Sequence, residues 1–364
     1  MRGPILTALV LIGVAARLAL PPLGYNFDFT SYQIVSQIVA DGGNVYAETT
    51  RYNYGPLWFL TLGLIRAIAS LAPYPETGFR YGIVLVLTIA DLAIAAILNR
   101  RFGARAALLF FLNPLSIVIT GYHNQFDNVA IAAGLGAMLL AETSARSGDR
   151  RRWIAALCLL GLSLTVKHIF FLLPLWLAFR ARSWREALVC ATLPVAIFVA
   201  GFLPFLATGR EGILHNVFLY HSFANGFLFR GLPPPVPATL LFIAALAAVG
   251  YLLRRRPLFD SALAYLIALV VLSPAMANQY LAIPTAAIAV AMNPGYALYT
   301  LSSFVILLTN ADGLHLGAMQ RLLGPEVWPW ISDRYSYDLP VCVLAVGLLW
   351  QVLRWREAEA RTPR

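Results

Sequence analysis

Charge is scarce in this chain: 12% of its 364 residues are Asp, Glu, Lys or Arg, and 60% are hydrophobic. Ordinary soluble domains carry about 25% charged residues, so a water-soluble globular protein is excluded. Apolar segments of roughly 20 residues, the length of one helical span, recur from Ile5 to Trp355 and predict a polytopic all-α membrane protein with about twelve spans. Long polar stretches are also missing. The longest polar or mixed ones, 24–80, 208–237 and 313–338, read as loops, and residues 1–364 as one integral membrane domain. Runs such as Ile83–Leu98 and Ala238–Leu253 are apolar all round and lack the alternation of a transmembrane barrel. Cysteine is rare: Cys158, Cys190 and Cys342 fall inside predicted spans without metal-ligand spacing, so no disulfide is expected.

The net charge of +10 is distributed by topology. With Met1 in the cytoplasm, alternate loops carry Arg100, Arg101 and Arg105, Arg146 and Arg150–Arg152, Arg180, Arg182 and Arg185, Arg254–Arg256, and the C-terminal arginines. Together with Arg2 these make 18 of the 27 basic residues. Such an excess marks cytoplasmic loops and makes nucleic-acid binding an unneeded explanation. Both termini are then expected inside. Acids such as Asp28, Asp41, Glu48, Glu76 and Asp127, and all five histidines, fall at or near the outer face. The apolar N-terminus has small residues near Ala16, as a signal peptide would, but the run continues to Leu23 and leads directly to Asp28. An uncleaved first span is expected.

The first outer loop is patterned. Tyr32, Ile34, Val35, Ile38 and Val39 recur near a helical period and predict a short interfacial helix. Asp41-Gly42-Gly43-Asn44 supplies a turn, and Pro56 opens a second apolar stretch through Leu71, interfacial or re-entrant. Pro73 and Pro75 close the unit before a span beginning near Phe79.

Several short segments occur in a telling order. Asp28 follows span one; Gly43-Asn44-Val45-Tyr46 and Tyr52-Asn53-Tyr54-Gly55-Pro56-Leu57 come next. Asn113-Pro114-Leu115 then precedes His123-Asn124-Gln125-Phe126-Asp127-Asn128; Lys167-His168-Ile169 leads to Pro174; Ser273-Pro274 precedes Gln279-Tyr280. Together these resemble GT-C glycosyltransferases, in particular the dolichyl-phosphate-glucose glucosyltransferase and GPI mannosyltransferase branch, with the short Arg- and Ala-rich chain closer to a prokaryotic relative. The resemblance implies a bundle of transmembrane helices with interfacial helices in the first loop. It also implies inverting transfer of a hexose or pentose, mannose or glucose foremost, from a polyprenyl-phosphate donor to a lipid-linked glycan or other acceptor outside the cytoplasm.

Within that resemblance the first-loop acid, Asp28, is the base that deprotonates the acceptor hydroxyl; its ordinary alternative is capping of the following helix. Lys167, the only lysine of the chain, and His168 are candidates for the donor phosphate, whose negative charge grows in the transition state. The alternative is a lysine reaching for headgroups. Arg230 is a further candidate for the phosphate. His123, Gln125 and Asp127 are expected to orient Asp28 or contact sugar, with Tyr54, Gln279 and Tyr280 also substrate-binding. A divalent metal is not favoured, since two or three ligands at this spacing make no site alone. No other cofactor is expected.

Arg17 and Asp91 lie within spans, where charge is costly. Arg17 is read as reaching outward to a phosphate, Asp91 as structural. The aromatic stretch Tyr220–Phe229, stiffened by Pro233–Pro235, reads either as a cover for the site or as an interfacial aromatic belt. A lipid or solute transporter fits the size equally, but would show internal repeats and mid-membrane polar breaks; no repeat is visible. A membrane-bound acyl or phosphate transferase is the third class.

Overall fold

The computed structural model describes residues 3–220, 226–228, 238–310, 313–314 and 335–361, and among them every regular element is helical. After α1 (Gly3–Ala19), the first loop forms α2 (Phe27–Ala40), α3 (Val45–Glu48) and α4 (Pro56–Ala69). The long α5 (Pro75–Phe102) leads to α6 (Ala104–Phe111), α7 (Pro114–Val118), α8 (Asp127–Ser147), α9 (Arg150–Val166) and α10 (Leu173–Ala178). Then come α11 (Trp184–Ala200), α12 (Leu206–Gly212), α13 (Ala238–Leu252), α14 (Leu258–Leu272), α15 (Thr285–Val290), α16 (Pro294–Thr309) and α17 (Asp338–Arg361).

Local chemistry sets many of these ends. Pro56 and Pro75 occupy first turns, where a missing N–H costs nothing. Asp149 caps α9 by accepting from the amides of Arg151 and Arg152 at 2.9 and 3.3 Å. Ser183 accepts from the Glu186 amide while Glu186 accepts from the Arg182 amide, a reciprocal cap on α11. The predicted first-loop helices are present, and the span expected near Phe79 begins one turn earlier, at Pro75.

Five stretches are long and apolar enough to cross a membrane: Gly3–Leu23, Pro75–Phe102, Asp127–Ser147, Trp184–Phe218 and Asp338–Trp355. Ala104–Phe111 and Pro114–His123, bent by 47° at their break, make a sixth if taken as one. That is fewer among the described residues than the dozen expected. Helices α4, α13, α14 and α16 are apolar but hold only 14, 15, 15 and 16 residues. At about 1.5 Å per residue each falls short of a hydrocarbon core of about 30 Å. Hydropathy alone cannot distinguish such a helix from a span: α14 buries eleven of its fifteen residues within the protein.

The spans divide by what they touch. Ten of the 21 residues of α8 are buried against other helices, but only two of the 17 of α1. Accordingly Leu11 and Ile12 on α1, and Val346 and Leu349 on α17, point outward as lipid-facing side chains do. Centrally, α8 packs along α9, α5 and α14; α9 also meets α11 and α4; α16 and α14 both pack on α17.

The 6–7 break has a simple cause. Pro114 disfavours helical backbone at Asn113, which is extended (φ −61°, ψ 125°) and caps the next turn through the Leu115 amide. Beyond α7 the chain widens into a π-turn, Ile119–His123, closed by Asn124 in the left-handed region at φ 56°.

Arg17 does not reach outward. It is buried, with Nε 2.9 Å from Asp91 Oδ2, its other nitrogens donating to the Gly13 carbonyl and Ser116 Oγ, and its plane 4.2 Å above Phe111. The reason is desolvation: with Asp91 buried on the neighbouring α5, each charge is the other's compensation. Cys158, Cys190 and Cys342 are free thiols.

Candidate active site

Helix α2 carries Asp28 in its first turn, where the amide-rich end of the helix favours negative charge. The helix is held by polar ties to its neighbours. Gln33 donates to Glu76 at 2.8 Å, Arg66 pairs with Glu76 at 3.1 Å, and Arg66 Nε donates to Ser36 at 2.7 Å. These link α2 to α4 and α5 and fix the direction in which Asp28 projects.

Asp28 Oδ2 accepts from two amides. Gln125 Nε2 makes a short contact and Asn26 Nδ2 lies at 3.2 Å. Asn26 Nδ2 also lies 3.1 Å from His123 Nδ1, which sets that ring nitrogen as the acceptor. His123 is fully buried, and its Nε2 has no hydrogen-bond partner. Gln125 thus contacts the acid directly, and His123 reaches it through Asn26.

Asp127 turns the other way. Its Oδ2 pairs with Lys167 Nζ at 2.6 Å, while its buried Oδ1 has no partner. Lys167 is 5% exposed and lies 4.9 Å from the ring centres of both Tyr54 and Phe126, so aromatic faces supply what solvent does not. The approach of Tyr54 depends on Gly55: a Cβ there would lie 2.0 Å from the Thr165 carbonyl at the end of α9. Burial and then the Asp28 carboxylate push the Tyr54 phenol well up, which keeps it a proton donor. Burial and then the Lys167 charge push His168 down to about 4, so its ring is neutral near pH 7.

These groups face one cavity of about 1090 Å³. Asp28, Tyr54, Asp127, Lys167, His168, Gln279 and Tyr280 all line it. Gln279 and Tyr280 lie on a 3-10 turn, Asn278–Ala282, fixed by the Tyr337 hydroxyl donating to Asn278 at 2.9 Å. Phe171, Phe218, Phe242, Leu269 and Val270 give the same cavity an apolar wall. Arg230 lies outside the described residues, as do His221, Phe223, Asn225, Phe229 and Pro233–Pro235 of the aromatic stretch. Tyr220 lines the cavity, and the Gly226 amide donates to the Pro274 carbonyl at 2.9 Å. Among the described residues, no three His, Cys, Asp or Glu side chains are grouped as metal ligands.

Two contributors escaped the sequence reading. Asn26 joins His123 to Asp28, and its only signal was adjacency to the acid. Arg51 lines the cavity with its guanidinium 4.3 Å above Phe27, and in the sequence nothing set it apart from the other arginines of the predicted outer loops.

No family model matches the chain, and no curated protein matches it in sequence. Among solved structures the chain is similar to ArnT from Cupriavidus metallidurans in the apo state (TM-score 0.53, 17% identity, covering 94% of this chain and 76% of that one). It is likewise similar to the same protein bound to undecaprenyl phosphate (TM-score 0.55, 16% identity, 96% and 78% covered). The likeness is one of fold and extends over nearly the whole chain.

Proposed function

We propose that the chain is an inverting membrane glycosyltransferase that moves a hexose or pentose from a polyprenyl-phosphate donor to a lipid-linked glycan or other hydroxyl acceptor, outside the cytoplasm. The observation that carries this reading is the single cavity holding an oriented carboxylate, a buried lysine and an apolar wall. A polyprenyl-phosphate sugar has matching parts: a sugar, an anionic phosphate and a hydrocarbon tail. The shared fold with a structure solved bound to undecaprenyl phosphate supports the same class of lipid.

In the proposed step the acceptor hydroxyl oxygen attacks the anomeric carbon from the face opposite the phosphate. Its proton passes to the Asp28 carboxylate as the new C–O bond forms. The bond from the anomeric carbon to the phosphate oxygen breaks, and its electron pair leaves with the polyprenyl phosphate. Charge grows on that leaving group, where a fixed cation lowers the barrier most. Lys167 fills this role from within the cavity wall, and Arg51 adds a second positive group to the lining. Tyr54, Gln279 and Tyr280, which line the same cavity, contact the sugar in this reading.

The test is transfer of labelled sugar from polyprenyl-phosphate mannose, glucose and arabinose into membrane lipids, comparing wild type with Asp28→Asn at matched expression. A wild-type product that falls by about 10²- to 10⁴-fold in the variant is expected from loss of a general base. Undiminished transfer in the variant removes Asp28 as the base. A wild type inactive with every donor, but moving labelled lipid or solute across vesicles, replaces the enzyme by the transporter.

A further inference from the structure

The buried Arg17–Asp91 cluster touches neither the large cavity nor Asp28, yet it braces the segment that does. Asp91 Oδ2 accepts from Thr120 Oγ1 at 2.8 Å and Ser116 Oγ at 3.1 Å, and Oδ1 accepts from Asn128 Nδ2 at 2.8 Å. Ser116 and Asn128 flank the short stretch 119–127, and Thr120 lies within it. The stretch itself is irregular: a π-turn, then left-handed Asn124, then Gln125, whose amide closes back on the Ile119 carbonyl at 3.2 Å. From it project the two side chains that meet the Asn26–Asp28 pair, His123 and Gln125.

Ile119, Thr120, Tyr122, His123 and Phe126 of this stretch are all buried, but a small gap interrupts the packing on its inner side. A cavity of about 20 Å³, lined in part by Asp91, Thr120, Gln125 and Asn128, lies between the cluster and Gln125. Where side chains do not close against one another, directional bonds determine position. The backbone of α1 adds the remaining constraint: Gly121 lies so near the Arg17 carbonyl that a Cβ would approach it to 2.6 Å.

We infer that Arg17 and Asp91 are positioning residues for sugar transfer, acting through Thr120 and Asn128 to hold Gln125 and His123 against the Asn26–Asp28 pair. The inference rests on the transferase reading above. It differs from a purely structural role for the ion pair because Thr120 belongs to the bracing and can be altered with the pair left intact.

Thr120→Val removes the hydroxyl donor and keeps the side-chain shape; Thr120→Ser keeps the donor. Each is purified and compared with wild type in three measurements: kcat and donor KM, thermal midpoint, and deuterium exchange of the peptide spanning 119–126. Thr120→Val is expected to lower kcat by about 10- to 100-fold, the scale of a small misplacement of a reacting group. Donor KM should stay within about twofold, the thermal midpoint near wild type, and exchange of the peptide should rise. Thr120→Ser should restore kcat and exchange. Unchanged exchange in Thr120→Val overturns the bracing, and raised exchange with unchanged kcat overturns its link to transfer. A wild type that transfers no sugar from any donor overturns the transferase reading and the positioning role with it. The exchange result then still reports whether the cluster holds the segment.

Discussion

Arg17–Asp91 and Lys167–Asp127 are both buried ion pairs, and the cation is 0% exposed in one and 5% in the other. Their surroundings differ. Asp91 accepts four hydrogen bonds shared between its two oxygens, and each nitrogen of Arg17 has a partner. Asp127 has one oxygen engaged and one without a partner, and Lys167, beside the rings of Tyr54 and Phe126, lines a cavity. A saturated pair has nothing left to offer a ligand and acts as a brace. An incompletely satisfied pair on a cavity wall is held ready for one.

The largest expected effect breaks the saturated pair. Arg17→Leu or Asp91→Leu leaves an uncompensated buried charge and should cost about 3–5 kcal/mol, whereas the double replacement should recover much of it. Thermal unfolding in detergent decides: a double variant no better than either single one contradicts the pairing as the source of the loss.

Lys167→Met asks the opposite question. Its thermal midpoint should fall less than that of Arg17→Leu, because Asp127 borders a cavity that can admit water. Transfer should drop by about 10²- to 10³-fold, as when one donor to a developing anion is removed. If stability falls as far as in Arg17→Leu while residual turnover is normal, the two pairs are alike and the contrast fails.

A smaller effect concerns pH. His168 is held near pKa 4 in the folded state, below about 6.5 in an unfolded chain, so between those values the unfolded state binds more protons. The neutral ring's contribution is present above about pH 6.5 and is lost as pH falls toward 4. Thermal midpoints at pH 7 and pH 5 should therefore diverge more in wild type than in His168→Asn. Equal shifts in both proteins count against a neutral imidazole at this position.

The smallest change is expected from Tyr54→Phe. The ring that faces Lys167 remains, so donor KM should move by no more than about threefold, with any loss in kcat reporting the hydroxyl alone. A collapse of donor binding places the phenol, not the ring, on the phosphate.

Much of the site was legible because its residues are chemically conspicuous in an apolar chain: Asp28, Lys167, His168 and Asp127 stand out where charge is rare. The helices of the first loop were legible from their period and from Pro56 and Pro75. Span number was not, because α14 and α16 are apolar through burial in protein as much as through contact with lipid. The fate of Arg17 was misread for a related reason. A charge in a span must be compensated, but the pattern does not say by which partner, and Asp91 stands 74 positions away.

The sequence by itself determined the class of molecule, the starts of many helices and the small set of groups able to do chemistry. These follow from composition and short-range spacing, which act within a turn or two of chain. Only the tertiary structure decided which acid holds which cation, that Gln125 and Asn26 meet at Asp28, and that seven candidate residues from five separate segments share one cavity. Those pairings depend on how helices close against one another, and a side chain is matched there by distance and desolvation, neither of which is written in the order of residues.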